Sequence, residues 1–349
     1  MNNQKKRNLK LMPESDLTRA LSRRLIGQPA AGRSIIPYVH MHQAGLAPEG
    51  RPVGVFLLLG PTGTGKTKTV EALAEVLHGS EKNLLRIDCG EFQMEHEVAK
   101  LVGAPPGYLG HRETSPMLTQ QKLTSVTSDR SNLSIVLFDE IEKAAPSLTR
   151  LLLGVLDKAS LRLGDNSSVN FEKSLVFLTS NLGAAEMMKA LNPGFGFESA
   201  IAKNAHTLAS RLESIGLAAV RRRFSPEFVN RVDAVITYEP LSNESFAEIL
   251  EIQLEDLQRL IHRRLGSRAF SLVITKAARQ TLIKTGVSDR FGARELKRTI
   301  HRSIVQPLAM MVSTGKLEPG DTVKIDLADD CATLRFRVQR LPIELRPAC

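Results

Sequence analysis

The chain has 349 residues, 42% hydrophobic and 24% charged, with a formal net charge of +10 and an isoelectric point near 9.6. That length accommodates two domains with a sizeable core, while three scattered cysteines, Cys89, Cys331 and Cys349, argue against a disulfide framework or a cysteine-rich zinc site. No apolar run reaches the roughly 18 residues of a membrane span, and the opening MNNQKKRNLK lacks the apolar segment of a secretory signal, so a cytoplasmic protein with no membrane partner is expected.

Residues 1–45 read as a basic arm followed by an entry helix that ends near Leu25-Ile26-Gly27-Gln28, and the histidines, His40-Met41-His42 on an expected strand included, show no HExxH or other metal pattern. From Val53 the pattern changes to short apolar runs at 55–59, 84–88, 134–138, 175–178 and 235–238, separated by helical stretches. Such alternation predicts a parallel sheet covered by helices on both faces. A second unit begins near Pro240-Leu241. Its first helix, 243–265, carries Phe246, Ile249, Leu250, Leu254, Leu257 and Ile261 at spacings of three and four, so that face packs inward. Helices around 276–284 and 293–312 follow, then 322–327 and 333–338 alternate as a hairpin. The boundaries are therefore 1–45 for the arm, 46–239 for the large α/β domain, 240–340 for a small, mainly helical domain with a short strand pair, and 341–349 for a tail. Basic residues cluster only at Lys5-Lys6-Arg7, Arg221-Arg222-Arg223 and Arg263-Arg264, so a dedicated nucleic-acid surface is not expected despite the charge.

The sharpest local signal is Gly60-Pro61-Thr62-Gly63-Thr64-Gly65-Lys66-Thr67, which fits GxxxxGK[ST] and stands between an apolar strand and a helical sequence. Glycines let consecutive backbone N–H groups turn toward phosphates, the helix start adds positive potential, Lys66 bridges β and γ oxygens and Thr67 can hold Mg²⁺. Downstream, Ser134-Ile-Val-Leu-Phe-Asp139-Glu140 delivers two carboxylates at a strand end, where open α/β sheets bind ligands. Taken alone, such a pair is also a helix cap with a first-turn acid. Beside the Gly-rich loop, Asp139 reads as a metal-shell ligand and Glu140 as the group that polarises water. Another buried run ends in Thr179-Ser180-Asn181, either a polar turn or a group that positions water beside the γ-phosphate.

These motifs resemble the Clp-type AAA+ unfoldases, most closely the C-terminal ATPase ring of the ClpB and ClpA group. The similarity runs over about residues 15–325, through Ile26-Gly27-Gln28, GPTGTGKT, Arg86-Ile-Asp-Cys-Gly-Glu-Phe92, GAPPGYLG at 103–110, Phe138-Asp-Glu-Ile-Glu-Lys143, Thr179-Ser-Asn-Leu-Gly183, Phe228-Val-Asn-Arg-Val-Asp233 and Phe291-Gly-Ala-Arg-Glu-Leu-Lys297. The resemblance implies a P-loop AAA+ sheet with a smaller lid domain, ATP and Mg²⁺ as cofactors, and a homo-oligomeric ring, a hexamer. It implies Asn181 as a first sensor, Arg294 as a second, Arg231 as an arginine finger reaching a neighbouring subunit, and Leu25 and Ile26 as adenine contacts, although a core role is equally open for the last two. It also implies a pore loop of Gly107, Tyr108, Leu109 and Gly110 that grips unfolded or aggregated polypeptide, Tyr108 offering contact area without demanding a particular sequence.

Two departures stand out. His111-Arg112-Glu113-Thr114-Ser115 replaces the family's aromatic and acidic Gly-Gly segment, and Lys68 replaces an acid common after the Gly-rich loop. The leading expectation is thus an ATP-driven unfoldase. The alternatives are an ATPase partner of a barrel protease, for which Phe195-Gly196-Phe197 only loosely approximates the docking tripeptide, and a nucleotide-gated assembly or nucleic-acid-binding module. An adaptor or protease partner stays open.

Overall fold

The structure, a computed structural model, describes residues 14–103, 116–191, 205–287, 292–328 and 333–340. Two compact units divide between Glu239 and Pro240. The pore-loop residues Gly107 to Gly110 and the tripeptide at 195–197 lie outside the described residues.

The first unit is built on five parallel strands, β1 (Gly54–Leu59), β2 (Leu85–Asp88), β3 (Ser134–Asp139), β4 (Ser174–Ser180) and β5 (Ala234–Thr237), in the order β2-β3-β4-β1-β5. Every residue of β1, β3 and β4 is buried, which is why these strands read as unbroken apolar runs. Alternate side chains divide between two cores. Val55, Leu57, Leu59, Val136, Phe138, Val176 and Leu178 pack with Leu148, Leu152 and Val155 of the helix Pro146–Lys158. On the opposite face Phe56, Leu58, Ile135, Leu137, Leu175 and Phe177 pack with Val70, Leu73 and Leu77 of the helix Lys66–His78. The register, with Leu59 opposite both Ser180 and Thr237 and Asp88 opposite Asp139, brings the strand ends to one edge. That edge carries the candidate site.

Ahead of the sheet, the entry helix α1 (Glu14–Ser22) stops short of Leu25, and a second helix α2 (Pro29–Gln43) follows. His40, Met41 and His42 therefore sit on the last turn of a helix, not on a strand. Pro29 opens α2 at the one helical position where a missing N–H costs nothing, and Ala31, Ile35, Ile36 and Val39 repeat at helical spacing on its buried side. A small antiparallel ribbon, Ser160–Arg162 with Ser168–Asn170, also escapes the sequence reading because each arm is only three residues long.

In the second unit the helix Asn243–Leu265 is capped by the Ser242 hydroxyl and buries Phe246, Leu250, Leu254 and Ile261, with Ile249 and Leu257 partly covered on the same core. The expected strand pair is present as Thr322–Leu327 with Leu334–Gln339, and a third strand, Ser271–Ile274, joins Thr322–Leu327 in parallel. The helix expected over 293–312 is two helices, Ala293–Ile300 and Gln306–Ser313, joined by a π turn at His301–Val305. Pro307 supplies no backbone N–H for the regular ladder, and the wider turn absorbs that defect. Gly286 ends the helix Lys276–Gly286 against Leu296, where an added Cβ would lie 2.8 Å from Leu296 Cδ1 and 3.0 Å from Leu296 Cα. A backbone atom cannot swing aside as a side-chain tip can. Gly286→Ala should accordingly destabilise this unit by about 1–3 kcal/mol through overpacking and lower its melting temperature by several degrees. An unchanged calorimetric transition would show that the contact relaxes freely.

Candidate active site

The segment 60–67 is the turn from β1 into the helix Lys66–His78. Gly60 has φ 144°, and a Cβ there would stand 2.7 Å from the carbonyl oxygen of Tyr238, so both backbone shape and space require glycine. Gly65 caps the helix with no side-chain bond, leaving its first N–H groups to a ligand. Lys66 is 8% exposed, and its Nζ donates to Gly60 O at 2.6 Å, Pro61 O at 2.8 Å and Asn181 Oδ1 at 2.9 Å. Buried ammonium groups persist only when their donors are satisfied. Here the acceptors are the loop itself and the residue expected to act as first sensor.

Asn181, just past β4, also accepts from the Thr62 hydroxyl at 3.5 Å, and its backbone N–H donates to Glu142 Oε1 at 3.0 Å. At the end of β3, Asp139 is 6% exposed. Its Oδ1 accepts from the Thr179 hydroxyl and, at 3.5 Å, from that of Thr67, while its Oδ2 pairs with the Arg86 guanidinium from β2. The Thr179 hydroxyl in turn accepts from the Glu140 backbone N–H at 2.9 Å, so one hydroxyl fixes both acidic residues. Glu140 adopts left-handed backbone angles, φ 57° and ψ 49°, a conformation that costs a non-glycine residue about 1–2 kcal/mol. Its carboxylate pairs with Lys143, and that hydrogen bond raises the Lys143 pKa. Arg223 steadies the turn that follows by donating to Glu142 O at 2.8 Å and Ala144 O at 3.2 Å. Beneath the carboxylates, burial first and then the Asp139 charge push the Cys89 thiol upward, which keeps it protonated and inert.

The remaining expected residues fall in different places. Leu25 is buried in the core that includes α2, while Ile26 is half-buried beside it. A cleft of about 370 Å³ between α1 and α2 is walled by Leu21, Leu25, Ile36 and Gln28. Arg231 follows the short helix Pro226–Val229 at the surface, where its guanidinium pairs with Asp157 at 2.8 Å. Arg294 lies exposed in the first turn of Ala293–Ile300, in the second unit. The motif segments contained Gln28, Arg86, Lys143 and Glu142 without revealing what they hold.

Thr67 and Asp139 offer hard oxygen donors, and among the described residues no cluster of three or more His, Cys, Asp or Glu side chains is placed to hold a metal. One carboxylate and one hydroxyl match Mg²⁺, which keeps several waters and takes its other oxygens from phosphate. The donor set therefore fits the ion. Among the described residues no helix is long and apolar enough to cross a membrane.

Residues 51–235 match the family described as AAA domain (Cdc48 subfamily), and residues 241–325 match the C-terminal, D2-small domain, of ClpB protein. Chaperone protein ClpB of Meiothermus ruber is 37% identical over 300 residues, covering 86% of this chain and 32% of the relative. Probable chaperone protein ClpB 1 of Chlorobaculum tepidum is 36% identical over 315 residues, covering 90% and 68%. Among solved structures, Saccharomyces cerevisiae Hsp104 in complex with casein, in an extended conformation, superposes with a TM-score of 0.76 at 27% identity, over 96% of this chain and 53% of that one. The closed state of Hsp104 with ATPγS and FITC-casein gives 0.75 at 28% identity, over 93% and 51%. The chain spans about a third of the length of the Meiothermus relative and about half of each Hsp104 chain. Through the large domain and the small domain alike, the chain belongs to the AAA family and, within it, to the ClpB group.

Proposed function

We propose that the chain is a Mg²⁺-dependent ATPase that assembles as a hexameric ring in the cytoplasm and uses hydrolysis to unfold or remodel other proteins. The observation that carries this reading is the convergence of Lys66, Thr67, Asp139, Thr179 and Asn181 on adjoining ends of β1, β3 and β4, with Glu140 held one residue beyond Asp139. Lys66 and the N–H groups of the Gly-rich loop bind the β- and γ-phosphates, and Thr67 and Asp139 hold the metal shell. Mg²⁺ supplies charge neutralisation between the phosphate oxygens. Glu140 orients water and takes its proton, Asn181 places that water, and Arg231 of one subunit reaches the nucleotide of the next. Arg294 reports the γ-phosphate to the small domain, and Ile26 lies beside the adenine.

Protein remodelling as the output is supported by membership of the ClpB group and by likeness to Hsp104 bound to casein. Tyr108 of the GAPPGYLG segment is the proposed grip on the substrate chain. Tyr108→Ala should therefore retain ATP hydrolysis within about threefold while reducing the unfolding of a tagged fluorescent substrate by at least about tenfold, since one buried aromatic contact contributes roughly 1.5–3 kcal/mol. Unfolding that continues at the unsubstituted rate contradicts the grip.

A further inference from the structure

Gln28 is 5% exposed, and its Nε2 donates to two backbone carbonyls: Thr64 O of the phosphate loop at 3.2 Å and Glu239 O at 2.7 Å. Both acceptors are carbonyls, so the side-chain amide can be oriented only with its NH₂ toward them. Glu239 is the last residue of the first unit, and the Glu239–Pro240 peptide has no N–H, which leaves the Glu239 carbonyl as its single polar handle. The other end of the bridge is equally placed. In a planar trans peptide the carbonyl and the following N–H point opposite ways, so holding Thr64 O on one side holds the Gly65 N–H on the other, at the open start of the helix Lys66–His78.

Neighbouring contacts press the same two segments together. The carbonyl of Tyr238 fills the space that a Gly60 side chain would need. The Tyr238 backbone N–H donates to Leu59 O at 2.7 Å, and its buried hydroxyl donates to Thr69 Oγ1 at 2.7 Å. Tyr238 thus contacts the start of the phosphate loop and the residues on either side of it, and Gln28 joins Glu239 to its middle.

We propose that Gln28 is a positioning residue that couples the state of the phosphate loop to the point where the chain leaves the ATPase domain. A single NH₂ group serves both carbonyls, so displacement of Thr64 O when phosphate draws in the Gly65 N–H changes the hold on Glu239 O. The inference rests on the nucleotide reading for its trigger, whereas the bridge is read from the hydrogen-bond geometry.

Amide hydrogen exchange on the full chain tests it, with Gln28→Met, which keeps length and lacks the donors, and Gln28→Glu, which keeps shape and presents a carboxylate to two carbonyls. Without nucleotide, both substitutions should raise exchange together in peptides covering 62–69 and 238–244 by about fivefold, the effect of losing one net hydrogen bond, while β3 stays protected. With a non-hydrolysable ATP analogue, the unsubstituted chain should gain protection in both peptides and the Gln28 variants in 62–69 alone. Equal protection of 238–244 in the variants overturns the coupling, as does a rise confined to one peptide without nucleotide or spread across β3. If the analogue protects neither peptide of the unsubstituted chain, the ATP reading fails instead, and paired exchange without nucleotide still establishes the bridge.

Discussion

Glu140→Gln should leave ATP binding intact and reduce steady-state phosphate release by about two to four orders of magnitude, the range expected for losing a positioned general base. The substitution is nearly isosteric, so it keeps the backbone turn and the bond from the Glu140 N–H to the Thr179 hydroxyl. It exchanges a carboxylate for an amide that cannot accept the water's proton. The groups proposed to bind phosphate have other partners: Lys66 donates to Gly60, Pro61 and Asn181, whereas the Glu140 carboxylate pairs with Lys143. The change at Lys143 from an ion pair to a neutral hydrogen bond is a surface effect, because Lys143 is half exposed. Equilibrium binding of a fluorescent ATP analogue and a phosphate-release assay separate the two steps. Turnover within about tenfold of the unsubstituted chain would remove Glu140 from the role of base.

Arg231→Ala should cost about three orders of magnitude in hydrolysis, the lower end of what an arginine finger contributes, with little loss of stability. The ion pair with Asp157 is 2.8 Å long, but both partners are more than a third exposed, and such surface pairs contribute at most about 1 kcal/mol. An effect of that size on catalysis, with little loss of stability, is what a guanidinium acting on another subunit's nucleotide would produce. Mixing provides the decisive form of the test. A ring assembled from Arg231→Ala subunits and Glu140→Gln subunits contains sites that combine an intact Glu140 with an intact neighbouring Arg231. Two preparations that are separately inactive should therefore regain measurable hydrolysis when mixed. If the mixture stays as inactive as its components, Arg231 acts within its own subunit or only supports the fold.

Much of this arrangement is legible in the sequence because it is local. The strands β1, β3 and β4 are buried on both faces and must be written as apolar runs, and the Gly-rich loop needs adjacent glycines, a lysine and a threonine to exist. The inward stripe of Asn243–Leu265 follows from helical spacing. What escapes depends on distant pairing or on tertiary context overriding local preference. The helix Pro29–Gln43 contains Pro37 in its interior, which locally argues against a helix, and its burial against the sheet outweighs that penalty. The strand Ser271–Ile274 has little apolar alternation because it is covered mainly at Ile274.

In the site, motif spacing indicates that Asp139 and Glu140 stand at a strand end. It does not reveal that Arg86 and Lys143 neutralise them one by one. Strand register creates the first pairing, since β2 lies beside β3 with Arg86 opposite Leu137. The left-handed turn at Glu140 precedes the second, in which Lys143 reaches back three residues. The bridge from Gln28 to positions 36 and 211 residues away has no local signature at all.

In the proposed mechanism, hydrolysis takes place between subunits of a closed ring that encloses its substrate. Sedimentation of the Glu140→Gln chain with saturating ATP and a labelled unfolded polypeptide tests this most directly. The account predicts a single six-subunit species that carries the label and releases it when ATP is replaced by ADP. A chain that sediments as a monomer at high concentration with ATP bound, or a ring that never retains polypeptide, would contradict it.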